Sequence, residues 1–231
     1  PQARGEICPQ QATRNPNNPT RRGRRPLWSP SRSLHISLSI LVDERAIRET
    51  QNSYMRGNGF TSEGLRMPMK KILVLTHSAG FKHDYLPTAQ QTIKSIGEAS
   101  GIFEAEATED CSLIDREKLR KLDAIIFATT GELPMAEEQK QALLDFVRDG
   151  KAFIGVHNAT DTFYKFPEYG AMLGGYFQGH PWTQEILAIT EDREHPATRH
   201  LSPKFKAKEE IYTFKEWSRG RTHILISLDN S

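Results

Sequence analysis

Met69-Lys70-Lys71-Ile72-Leu73-Val74-Leu75 runs two lysines straight into four consecutive apolar residues, the mark of a strand buried on both faces of a sheet. Next, residues 86–100 place Ala89, Ile93 and Ile96 on one side of a helix, so the unit opens strand then helix. The alternation then repeats. Residues 103–108 read as a second strand, 113–122 as a short helix, and Ala124-Ile125-Ile126-Phe127 as a third, buried strand. Residues 134–149 form the clearest helix, with Pro134 near its start, Glu137 and Glu138 in the first turn and Gly150 just past the end. Ala152-Phe153-Ile154-Gly155-Val156 is the fourth strand. Strands and helices alternating at this spacing predict βαβ units and a doubly wound, mostly parallel α/β sheet, in one domain over residues 69–231. Beyond Gly155 the pattern is less regular: a short helix is expected over 169–177, and strands over 185–190, 211–214 and 223–228.

Composition bounds the rest. A chain of 231 residues accommodates one domain plus an appendage, and its apolar runs fall far short of the roughly 20 residues of a membrane-spanning helix. Cys8 and Cys111 are isolated, so neither a disulfide framework nor a Cys-based zinc site is indicated, and a cytoplasmic protein is expected. The net charge of +2 conceals an asymmetry: residues 1–66 hold eleven Arg, no Lys and five acids, which leaves residues 67–231 at −4. With six of the thirteen prolines and the cluster Arg21-Arg22-Gly23-Arg24-Arg25-Pro26, that first segment reads as disordered and basic. A nucleic-acid or lipid-binding arm lacks aromatic interleaving here, and a secretory signal lacks a small-x-small cleavage site, so neither nucleic acid nor membrane is expected as a partner. The expectation is a reading frame opened too early, with the start at Met67 or Met69.

In an open parallel sheet ligands bind beyond the carboxyl ends of the strands, and those positions are rich in histidine. Thr76-His77-Ser78-Ala79-Gly80-Phe81-Lys82-His83-Asp84 follows the first strand, Thr129-Thr130-Gly131-Glu132 the third, and His157-Asn158-Ala159-Thr160-Asp161-Thr162-Phe163-Tyr164 the fourth. Further on come Gly174-Gly175-Tyr176-Phe177-Gln178-Gly179-His180-Pro181-Trp182, His195-Pro196-Ala197-Thr198 and Glu209-Glu210-Ile211-Tyr212-Thr213-Phe214.

Together these motifs, collinear over residues 70–231, resemble the ThuA-like, or trehalose-utilisation, family, which shares the class I glutamine amidotransferase-like fold. The resemblance implies that fold, a flavodoxin-like doubly wound sheet, and a role in carbohydrate metabolism. Residues 1–66 have no counterpart, and the family continues into a further strand segment, so the chain is expected to be truncated at its C-terminus. True amidotransferases of this fold present a Cys nucleophile after the equivalent strand, whereas Val156 is here followed by His157, so glutamine amidolysis by the Cys-His route is not expected.

From the residues themselves, His157 at the strand-to-helix turn is the first catalytic candidate, with Asp161 four residues on as its orienting group. His83, at the start of the first helix, and His180, between Gly179 and Pro181, are further acid/base candidates. Backbone N–H groups around Asn158 and Thr160 suit a hydroxyl-rich ligand. Tyr164, Tyr176 and Trp182 suit a stacked sugar ring, and His77 and Glu210 complete the binding candidates. Three readings stay open: an enzyme acting on a sugar or oxidised sugar, a metal-dependent hydrolase using the His/Asp rim, and a non-catalytic sugar-binding module. A divalent metal is compatible with the rim, its ligand set is unassigned, and a homodimer is left open.

Overall fold

Ile72-Leu73-Val74-Leu75 lies within strand β1 (Lys70–Leu75), and successive residues there point to opposite faces. The computed structural model, which describes residues 68–229, shows each face buried under its own helices. Leu73 and Leu75 join Ile125 and Phe127 of β3 (Ala124–Phe127) in one core. Val74 and Ile126 face the other way, against Leu86 and Ile93 of α1 (Leu86–Ser100). A strand buried on both sides has no polar face, which is why four apolar residues stand in a row. The reading of residues 1–66 lies outside the described residues.

β2 (Phe103–Thr108) pairs with β1, β1 with β3, and β3 with β4 (Ala152–Gly155), all parallel, giving the order β2-β1-β3-β4. The chain leaves β1 toward one edge and returns to build outward on the other, so the strand order reverses between β1 and β3. That reversal opens a crevice at the carboxyl ends, where loops part instead of running across. The expected doubly wound sheet is present, with α1 on one face and the remaining helices on the other.

Three local expectations change. The helix expected over 113–122 is instead a 3-10 turn, Cys111–Leu113, and a single α-turn, α2 (Arg116–Leu119). Asp110 and Asp115 each cap a separate N-terminus, accepting from the backbone N–H of Ser112 and Lys118, while Ile114 between them is fully buried. Helix α3 begins at Glu137, after Pro134, and runs to Arg148. Its start is set by Gln139, whose Oε1 accepts from the Ala136 N–H and whose Nε2 donates to the carbonyls of Cys111 and Ile114. Helix α4 (Pro167–Leu173) starts earlier than expected, with Pro167 in its first turn, and stops at Gly174, which takes a left-handed conformation at φ 89°.

The later strands form a separate antiparallel sheet of order β6-β5-β7: β5 (Tyr176–Thr190), β6 (Lys204–Lys215) and β7 (Ile226–Leu228). Sequence reading finds only pieces of β5 because Gly179-His180-Pro181 interrupts the alternation. The structure absorbs that interruption as register shifts between Phe177 and Trp182, where Pro181, lacking an N–H, is tolerated.

Candidate functional site

β4 ends at Gly155, and after Val156 the chain turns sharply into a 3-10 turn, His157–Asp161. His157 itself takes φ 46°. That left-handed conformation costs a residue with a Cβ about 1–2 kcal/mol, so the surrounding structure must hold it. It lifts the imidazole off the strand end and toward β6.

Asn158, fully buried, anchors the floor. Its Oδ1 accepts from the Tyr85 hydroxyl at 2.6 Å, and its Nδ2 lies 3.2 Å from Nδ1 of His83. The His83 ring in turn meets His157 edge-on, with centroids 5.0 Å apart. Thus the loop after β1 and the turn after β4, far apart in sequence, meet across the crevice.

The third side comes from β6. Glu210 and Tyr212 are two residues apart and so share one face of that strand. The Tyr212 hydroxyl lies 3.0 Å from His157 Nε2, and Glu210 Oε2 lies 3.4 Å from the same nitrogen. That carboxylate oxygen is buried and makes no hydrogen bond. Phe177 and His180 pack on the far side of Tyr212, at centroid distances of 4.5 and 5.8 Å. His180 reaches Tyr212 because the β5 irregularity falls opposite it.

Burial, and secondarily the neighbouring His83, hold the His157 pKa below the usual histidine value, against the pull of Glu210 and Glu209. His157 is therefore neutral near pH 7. Because the unfolded chain binds the proton more readily, the stability His157 contributes is fully present above about pH 6.5 and falls as the pH drops from there toward its lower folded pKa. Melting curves between about pH 5 and 7.5 should show the wild type losing more stability on acidification than His157→Gln. Parallel curves for the two proteins would mean that His157 titrates as it does in the unfolded chain. Burial also holds the phenols of Tyr85 and Tyr212 protonated, their pKa values raised.

The remaining candidates divide. Asp161 sits on the same turn, but its carboxylate accepts from the Tyr164 hydroxyl at 2.6 Å, and the carboxylate against His157 is that of Glu210. Tyr164 also reaches the Phe177 carbonyl, and Lys215 covers its ring at 4.6 Å, so it ties the turn to β5. Tyr176 is in the core, not at the rim: it is 2% exposed and its hydroxyl bonds the backbone of Phe166 and Gly170. His77 donates from Nδ1 to the Glu109 carbonyl at 2.8 Å, toward β2. Thr160 has a buried Oγ1 without a hydrogen bond. Trp182 is exposed on the ribbon, in a cleft with Ile186, Ile211 and Leu228 whose lining includes no histidine. Cys111 is a buried, free thiol whose pKa burial pushes up to about 11, unsuited to nucleophilic attack.

Sequence reasoning missed Tyr85 and Tyr212. The signal for Tyr212 was present, since a strand period of two places it beside Glu210; Tyr85 follows His83 by two residues but acts through Asn158, which no local pattern reveals.

Comparisons bear on the fold and on the family. The chain is similar to a ThuA-like protein from Bacteroides uniformis whose crystal structure is known, at 24% identity and a TM-score of 0.62, over 74% of this chain and 72% of that one. At that identity the likeness concerns the fold, and it agrees with the flavodoxin-like, mostly parallel sheet. No curated protein matches the chain. No helix among the described residues is long and apolar enough to cross a membrane. A family model described as ThuA, trehalose utilisation, matches residues 71–231, which include every strand end that builds the crevice. The chain therefore belongs to the ThuA family.

Proposed function

We propose that the crevice is the active site of a cytoplasmic enzyme acting on a disaccharide such as trehalose, or on its oxidised form, and that the His157–Glu210–Tyr212 centre activates a hydroxyl group there. The observation that supports this reading is His157, held in a left-handed conformation at a strand end with Nε2 turned toward Tyr212 and Glu210. Strained residues at strand-to-turn junctions are a common way of presenting a reactive group at the sheet rim.

The neutral imidazole offers a lone pair, and a sugar or water hydroxyl that replaces Tyr212 at Nε2 passes its proton there. The imidazolium so formed is stabilised by the Glu210 carboxylate 3.4 Å away. Tyr212, still protonated, then donates to the developing oxyanion. Tyr85, Tyr212 and Phe177 supply flat apolar surface beside polar tips, which suits a sugar ring. Cytoplasmic placement is supported by the free thiol of Cys111, and family membership supports the sugar.

The test is a panel of disaccharides and their keto derivatives, screened by thermal shift and by chromatography of the products. At least one should bind saturably and be converted. If none binds and none is converted, the reading is wrong.

A further inference from the structure

Glu210 Oε2 is an anomaly in a folded protein: a carboxylate oxygen out of contact with water, with no hydrogen bond. An ionised oxygen held out of water is unfavourable unless a donor or a positive charge faces it. The neighbour at hand, Nε2 of His157, faces the Tyr212 hydroxyl at 3.0 Å and makes no hydrogen bond to that oxygen, so it does not compensate it.

The distances suggest what does. His157 Nε2 and Glu210 Oε2 are 3.4 Å apart without hydrogen-bond geometry. Two donors bound at about 2.0–2.1 Å to one tetrahedral ion are themselves separated by roughly 3.3–3.4 Å. A ring nitrogen of His83 completes a set in which all three donor atoms lie within 4.8 Å of one another. The three come from the β1 loop, the turn after β4 and strand β6, so their convergence is tertiary.

We infer that His83, His157 and Glu210 bind one divalent transition-metal ion, with zinc the best match to two imidazoles and one carboxylate. This rests on the reading of the crevice as the reactive centre and says how that centre activates oxygen. Three protein ligands leave a fourth position for water or a sugar hydroxyl, whose proton the ion makes easier to remove. With an ion held there, the His157 lone pair would be a ligand and His157 would no longer be the base; the ion would ease loss of the hydroxyl proton to a solvent water. Tyr212, now against Nε2, would be free to donate to that oxygen instead.

Asn158 is the group that aims His83. An ion on Nε2 of that ring requires the proton on Nδ1, and the Asn158 amide satisfies this by turning over, its Oδ1 accepting from Nδ1–H. Tyr85, whose hydroxyl can donate or accept, then accepts from Nδ2, so neither buried hydrogen bond is lost.

The experiment titrates the full, untagged chain with Zn2+ and with Co2+, following stoichiometry and the visible ligand-field bands of cobalt. One ion per chain and the spectrum of a four-coordinate site are expected. Glu210→Gln and His83→Ala should weaken binding at least about 100-fold, beyond the 10–100-fold typical of losing a group that only orients a ligand. Tyr212→Phe should bind as tightly as the wild type or tighter, because it removes a competitor for Nε2. His223→Asn, far along the chain on a different loop, controls for surface histidines and should change nothing. Far-UV spectra of the variants establish that each is folded. No stoichiometric binding, or binding indifferent to both Glu210→Gln and His83→Ala, overturns the site. If sugar binding and turnover persist in protein that takes up no metal, the ion is refuted while the sugar-acting centre stands.

Discussion

Gly170→Ala is expected to destabilise the protein by about 3–5 kcal/mol, one of its most damaging single-methyl additions. A Cβ at position 170 would stand 2.1 Å from Cε2 and 2.4 Å from Cζ of Tyr176. Clashes with a side chain are cheap when that side chain can swing away, and this one cannot. Tyr176 is 2% exposed, its hydroxyl donates to the Phe166 carbonyl at 2.7 Å, and it accepts from the Gly170 N–H at 3.1 Å. Overpacking costs about 1–3 kcal/mol, and moving the ring also leaves the buried Gly170 N–H unpaired at about 1–3 kcal/mol, whereas the Phe166 carbonyl still accepts from the Tyr169 N–H. Tm should fall on the order of 10 °C, at about 2–4 °C per kcal/mol for a domain of this size. Tyr176→Leu in the Gly170→Ala background should be less damaging than the two changes summed, since it removes the ring that the methyl meets. An unchanged Tm would show that helix α4 and the start of β5 are not packed as described. The effect reaches function, because Tyr176 opens β5 and pairs with Lys215 near the end of β6, the strand that carries Glu210 and Tyr212.

His157→Ala is expected to lower turnover of the sugar by about 10²–10⁴-fold, the range for loss of a proton-transferring group, while leaving the far-UV spectrum unchanged. Its stability cost is about 1–3 kcal/mol, from the lost hydrogen bond between Nε2 and the Tyr212 hydroxyl and the lost packing against Tyr85, His83 and Tyr212. Tyr212→Phe should lower turnover less, about 5-fold, as one hydrogen bond of about 1 kcal/mol is lost. Steady-state rates at saturating and sub-saturating sugar measure both variants. Survival of both binding and turnover in His157→Ala would make the turn a structural device and move the chemistry elsewhere.

Local sequence carried most of the parallel sheet. Residues 86–100 and 103–108 form the expected helix and strand, and Ala124–Phe127 the third strand, because each element's apolar spacing reports a period the backbone must obey. Reading failed where a distant side chain set the boundary. Gln139 moves the start of α3 by reaching carbonyls of residues 111 and 114, and Ile114 splits an expected helix by entering the core. The antiparallel ribbon was visible only in fragments, since its length comes from pairing across a bulge.

The site shows the same division. That a histidine, and no cysteine, follows the fourth strand is a matter of sequence alone, and on it rests the expectation that the Cys route of the amidotransferases the chain resembles is not used. The histidine-rich strand ends and Glu210 as a candidate were likewise legible one residue at a time. Their partnership was not: spacing put Asp161 beside His157, whereas folding brings in Glu210 from 53 positions away and ties Asp161 to Tyr164. Sequence alone determined which chemical groups the strand ends carry, because periodicity is local. Tertiary structure decided which of them meet, because the approach of β6 to the β4 turn depends on sheet pairing and core packing summed over the whole domain.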